Sequence, residues 1–225
     1  MTPPVLKQPA RILYALILLP VIGALAFAIF RPIQVLPRIT LSPGLSLVDQ
    51  NNARLTNEDL RGRIVLYNFT YTNCPAPCPQ SNEPMQTMQA RVRESGATDI
   101  PISLVTISFD PARDTSEKLR AFADQVGADA TQWRIATGDA MRLKYALGGG
   151  FNLYYNPNAD GTFTFDPLFV LVDGWGIIRA YYKTATPSVD RVTRDIRLLQ
   201  DEARNSTGAA RYAYEAAHLF LCYPP

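Results

Sequence analysis

The chain has 225 residues, 47% of them apolar and 19% charged, with a formal net charge of +2. This length and apolar share suit one folded domain with extensions and exclude a disordered chain. The near-neutral balance, with no basic run, argues against nucleic acid as a partner.

The first eleven residues form a short tail. Ile12 to Phe30 then runs for 19 residues without a charge, between Arg11 and Arg31. At helical rise this nearly spans a hydrocarbon layer of about 30 Å. Pro20 lies inside it, which membrane helices tolerate. The run is longer than the roughly 7–15-residue core of a signal peptide, although Ala26-Phe27-Ala28 has the small-residue pattern of a cleavage site. The expectation is a retained single-pass transmembrane anchor over 12–30. The flanking basic residues lean toward a cytoplasmic tail at 1–11 and a domain on the periplasmic side of the cytoplasmic membrane. Residues 31–44, with Pro32, Pro37 and Pro43, read as a linker.

From residue 45 the pattern becomes globular. Leu45–Gln50 and Ala53–Thr56 read as a hairpin turning at Asn51-Asn52. Asn57–Leu60 is a helical turn ended by Gly62. Arg63 to Thr70, with the run Ile64-Val-Leu-Tyr-Asn-Phe, is a buried strand. Directly after it comes Cys74-Pro-Ala-Pro-Cys78-Pro79. Two thiols three residues apart can close a disulfide or grip one soft metal ion. Pro75, Pro77 and Pro79 remove backbone donors and stiffen the loop. A helix starting at Pro79 would lower the thiol pKa values through its partial positive charge.

That helix is expected over Pro79–Arg93, with Met85, Met88 and Val92 at helical spacing. Ile102–Phe109 is a second buried strand. Asp114-Thr-Ser-Glu117 resembles a capping box opening a helix over Thr115–Val126 that Gly127 ends. Trp133–Thr137 is a short strand. Asp139 caps a helix that stops at Gly148-Gly149-Gly150, and Phe151–Pro157 fits no single state. Phe163–Thr164, Leu168–Val172 and Ile177–Tyr182 read as strands, the last two joined by Asp173-Gly-Trp-Gly176. Ser188–Glu202 is an amphipathic helix. Ala209–Cys222 is a further helix within a C-terminal docking tail, 205–225. Strands alternating with helices, then a hairpin and a closing helix, give an α/β domain over 45–204 with a mixed sheet flanked by helices. A cysteine pair after the first central strand points to the thioredoxin-like type.

Several motifs in this order resemble the Sco/SenC family. They are Tyr67-Asn-Phe-Thr-Tyr-Thr-Asn-Cys-Pro-Ala-Pro-Cys-Pro79, Val105-Thr-Ile-Ser-Phe-Asp-Pro-Ala-Arg-Asp-Thr115, Trp133 through Thr137-Gly138-Asp139, and Leu171-Val-Asp-Gly-Trp-Gly176. The resemblance covers about Leu45 to Glu202. It implies a thioredoxin-like fold anchored outside the cytoplasm. It also implies delivery of copper to the copper site of cytochrome oxidase, or reduction of that site's thiols. The family's metal ligands are two cysteines, which fall on Cys74 and Cys78, and a histidine. At the histidine position this chain has Phe165, or Pro167 if two residues are deleted, and neither binds copper.

Two thiolates suit Cu(I), whereas Cu(II) calls for imidazole as well. The resemblance therefore implies Cys74 and Cys78 as a redox pair or Cu(I) site without a third ligand. Three other readings compete. The fold could be kept as the scaffold of an accessory subunit in a respiratory or photosynthetic electron-transfer complex. The pair could be a general thiol-disulfide oxidoreductase. It could also be a plain disulfide closing a short loop, a link of about 2 kcal/mol. Met85 and Met88 offer thioethers but fit core packing better. His218 and Cys222, four apart, have ligand spacing on a helix, yet two ligands do not make a site. Asp110, Arg113 and Asp114 are expected near the cysteine loop, as a cap and ion pair or as charges orienting it.

Overall fold

The computed structural model describes residues 8–30, 33–75, 82–96 and 99–220. The first helix, α1, is Gln8–Phe30. Among the described residues no helix is both long and apolar enough to cross a membrane. The transmembrane helix expected over 12–30 is not found among the described residues.

The body is an eight-stranded mixed sheet of β1 (Thr40–Leu41), β2 (Ser46–Asp49), β3 (Arg54–Thr56), β4 (Ile64–Thr70), β5 (Ile102–Ser108), β6 (Trp133–Gly138), β9 (Phe169–Val172) and β10 (Ile177–Tyr182). Its order is β1-β10-β9-β4-β5-β6-β2-β3. β4 pairs in parallel with β5, and β5 with β6, while β9 runs antiparallel to β4. A separate hairpin joins β7 (Tyr155–Pro157) and β8 (Phe163–Phe165). The helices are α2 (Asn82–Glu94), α3 (Ser116–Val126), α4 (Ala140–Tyr145), α5 (Val189–Arg204) and α6 (Ala210–Phe220).

β4 and β5 are buried at every position, as branched and aromatic runs without alternation predict for central parallel strands. Alternate residues feed two cores. Ile64, Leu66 and Leu104 meet Met85, Met88, Leu119, Trp133, Val192, Ile196 and Leu199 on one face. Tyr67, Phe69, Val105 and Ile107 meet Leu47, Leu143, Leu147 and Phe151 on the other. Met85 and Met88 are thus core residues on the face away from the cysteine turn.

Three local expectations shift. The stretch read as linker contributes to the body: Val35 and Leu36 are fully buried, and Thr40 and Leu41 pair with Ile178 and Ile177. The cap of α3 is Thr115, not Asp114, because Asp114 is buried and its carboxylate is used elsewhere. The segment after α4 continues as a π turn, Ala146–Gly150, and delivers Phe151 to the core. The α3 stop at Gly127 holds, with φ of 66° and its N–H on Ala123 O.

Candidate functional site

The turn bearing Cys74 leaves the C-terminal end of β4. The ladder extends one step past the strand through Phe109 N–H to Thr70 O, at 3.1 Å. Tyr71 is buried, and Thr72 is fixed by Asp114: its N–H donates to Oδ2 at 2.9 Å and its hydroxyl to Oδ1 at 2.5 Å. The Ser108 hydroxyl also donates to Asp114. A fully buried carboxylate therefore ties the start of the cysteine turn to the end of β5 through three charge-assisted bonds. Asp110 pairs with Arg113. The Arg113 guanidinium lies 6.0 Å from the Tyr71 ring centre and 5.6 Å from that of Phe163, within cation–π reach. Asp110, Arg113 and Asp114 do gather beside the turn, and Asp114 positions it.

Cys74 is half-buried, packs on the core face that holds Tyr67, Phe69 and Tyr71, and is disulfide-bonded. Cys78, Pro77 and Pro79 lie outside the described residues, as does Cys222.

Phe165, the ungapped match to the family's histidine, is part of an aromatic wall. Phe165 meets Phe109 edge-on with ring centres 4.9 Å apart. Phe109 stacks on Tyr155 at 4.7 Å, and Tyr71 meets Phe163 at 5.0 Å. The Phe163 N–H donates to the Tyr71 hydroxyl at 3.2 Å, which fastens the β7–β8 hairpin to the residue after β4. Burial pushes the Tyr155 hydroxyl pKa up. Individual residues gave no hint of this wall. The only sequence signal was the local density of aromatics at 151–165 and their return at 69–71 and 109.

His218 is committed at another place. Its Nε2 lies 2.8 Å from Glu202, which also pairs with Arg179 at 2.6 Å and Arg38 at 3.0 Å. Arg179 is fully buried; it also meets Asp173 at 2.9 Å and donates to Leu36 O and Pro37 O. Burial opposes the Glu202 charge, but bonds from His218 and Arg179 outweigh it and hold the carboxyl down at about 2. This hub ties the entering chain, β10, α5 and α6 together. Among the described residues no three His, Cys, Asp or Glu side chains form a metal-binding group.

A mixed sheet flanked by helices, with a cysteine turn at the end of its first parallel strand, defines a thioredoxin-like domain. The chain belongs to the SCO1/SenC family, whose model matches residues 37–200. A Stutzerimonas stutzeri protein named for copper binding is 29% identical over 172 residues, covering 76% of this chain and 83% of its own. A SCO1/SenC family lipoprotein from Bacillus anthracis superposes with a TM-score of 0.65 at 22% identity, over 71% of this chain and 95% of its own. BsSco, described as a Sco-family cytochrome c oxidase assembly protein with a disulfide switch, superposes with a TM-score of 0.65 at 20% identity, over 73% of this chain and 96% of its own.

Proposed function

We propose that this chain is a membrane-anchored Sco-family protein on the extracytoplasmic side of the cytoplasmic membrane. There it carries Cu(I), or passes dithiol electrons, during assembly of a respiratory copper site such as that of cytochrome oxidase. One observation carries the reading: Cys74, half-buried and disulfide-bonded, sits at the end of the central strand on a turn that Asp114 fixes through Thr72.

The donor set on offer is sulfur alone. With Cys78 it makes a two-thiolate seat suited to Cu(I) as cargo, and the aromatic wall at Phe165 offers no imidazole to retain Cu(II). In the electron-passing role an external thiol reductant first reduces the pair, and the Cys74–Cys78 dithiol then attacks a target disulfide. One S–S bond forms here and one breaks in the target. Two electrons and two protons pass to the target thiols. Support for the anchor comes from the 19 uncharged residues at 12–30 and from large apolar side chains exposed at successive positions around α1, Leu16 to Leu19 among them.

Anaerobic Cu(I) titration of the reduced full chain tests the carrier role. Near-stoichiometric binding that Cys74→Ser abolishes is expected; equal binding by both chains overturns it. The aromatic replacement at Phe165 favours a second reading, an accessory subunit of an electron-transfer complex. That reading requires co-purification with such a complex from detergent-solubilised membranes, and a chain that runs only as a free monomer counts against it.

A further inference from the structure

The turn between β9 and β10 carries an exposed tryptophan. Trp175 is 60% exposed, on a turn made rigid by Asp173, whose Oδ1 accepts from the N–H groups of Trp175 and Ile177 at 3.0 Å each. Gly176 completes the turn with φ of 81°, a conformation that disfavours other residues. Trp175 shares one recess with Leu41, itself 71% exposed, and another with Arg38, Ile177 and Arg211. An aromatic and an aliphatic side chain therefore stand at one end of the sheet, beside a polar rim in which Arg38 is paired with Glu202 and Glu215. An exposed indole with an apolar body and a polar N–H, beside an exposed leucine, suits the headgroup level of a bilayer.

The length of the tether chooses the occupant. From Phe30, the end of α1, to Val35, the first fully buried residue, the chain has five steps, at most about 17 Å when extended. It is then clamped: Leu36 O and Pro37 O accept from Arg179, and Ile39 N–H donates to Ile178 O at 2.9 Å. β10 begins two residues after Trp175. A short tether that enters the body beside this turn keeps the turn within reach of whatever holds α1.

We propose that the Trp175–Leu41 end of the domain rests in the headgroup layer of the bilayer, so that the domain stands on the membrane in one orientation. This rests on the anchored reading of α1. Val172, at the Trp175 end of β9, pairs with Val65 at the start of β4, whereas Cys74 follows the other end of β4. Seating Trp175 on the lipid lifts the cysteine turn by about the length of the strand, on the order of 20 Å, and points it away from the surface.

The test uses the full chain reconstituted in phosphatidylcholine–phosphatidylglycerol vesicles. The chain has two tryptophans, and Trp133 is fully buried. Emission lost on Trp175→Phe, an exposed and structurally mild change, therefore reports Trp175 alone. The expected result is about a twofold or greater loss of that component with bromine on the acyl chains, and shielding from aqueous iodide. A component that iodide quenches and bromine does not overturns the proposal. One protected from both also overturns it and assigns the patch to a second copy of this chain. Flotation of the same vesicles separates the two readings. A chain that floats without bromine quenching keeps its anchor and loses this orientation, whereas a chain that does not float loses both.

Discussion

At the scale of single residues, Asp114 carries more of the site than its place in the sequence suggests. Read locally, Asp114-Thr-Ser-Glu117 is a helix cap, and the cap falls one residue later, on Thr115, with the helix starting at Ser116. The Asp114 carboxylate instead accepts from Thr72 twice and from Ser108. Asp114→Ala would leave the buried Ser108 hydroxyl and the part-buried Thr72 donors without their acceptor, and at 1–3 kcal/mol each the expected loss is about 3 kcal/mol in urea unfolding. Thr72→Val, which removes only the side-chain bond, should cost about 1 kcal/mol. Phe165 gives a test of the opposite kind. Its ring stands on the aromatic wall at the ungapped match to the family's imidazole, so Phe165→His should raise Cu(II) affinity tenfold or more with Cu(I) affinity nearly unchanged. A competition titration with each ion in its own oxidation state reads that difference. Equal gains for both ions would mean the histidine does not reach the sulfurs.

At the scale of elements, the last helix packs on its own domain along one side. Ala217 is fully buried, and His218 and Glu215 meet Glu202 and Arg38. The Glu202 carboxyl, ordinarily near 4.5, is held at about 2 in the folded chain. A carboxyl depressed on folding contributes stability that is complete above its unfolded pKa and fades as pH falls toward its folded one. Thermal stability should therefore decline between about pH 4.5 and 2, and Glu202→Gln should flatten that slope while lowering stability at neutral pH. A slope that survives the substitution would shift the effect to other carboxylates. Removing the opposite partner is harsher. Arg179→Leu leaves Asp173 buried without its cation and Glu202 with only Arg38 and His218, at a cost of about 3–5 kcal/mol. Most strand positions were legible from branched and aromatic runs, since a strand buried on both faces needs apolar groups on both. The edge strand β1 was not. Two exposed residues carry no burial pattern, and only their pairing with β10 makes Thr40–Leu41 a strand.

At the scale of the whole molecule, the arrangement separates two ends of one sheet. One end holds Cys74 and the aromatic wall; the other holds the Arg179–Glu202 hub, the entering chain and Trp175. If α1 is an anchor, sodium carbonate at high pH should leave the chain in the membrane pellet, whereas removal of residues 1–32 should release it to the supernatant. A full chain that washes off would remove the anchor.

The sequence alone was enough for the α/β class, the cysteine turn after the first central strand and the family, because these follow from local hydrophobic runs and short motifs. It also showed that the expected imidazole is missing, which is a matter of counting one histidine. Tertiary structure was needed to learn where the charges went. Asp114 turned inward to the cysteine turn, and His218 turned to Glu202, since a buried charge must find its partner across whatever elements packing brings near it. Tyr71, Phe109 and the hairpin residues Tyr155, Phe163 and Phe165 come from three separate stretches of chain; the hairpin and the sheet end bring them together, and the aromatic density at 151–165 does not by itself record that meeting.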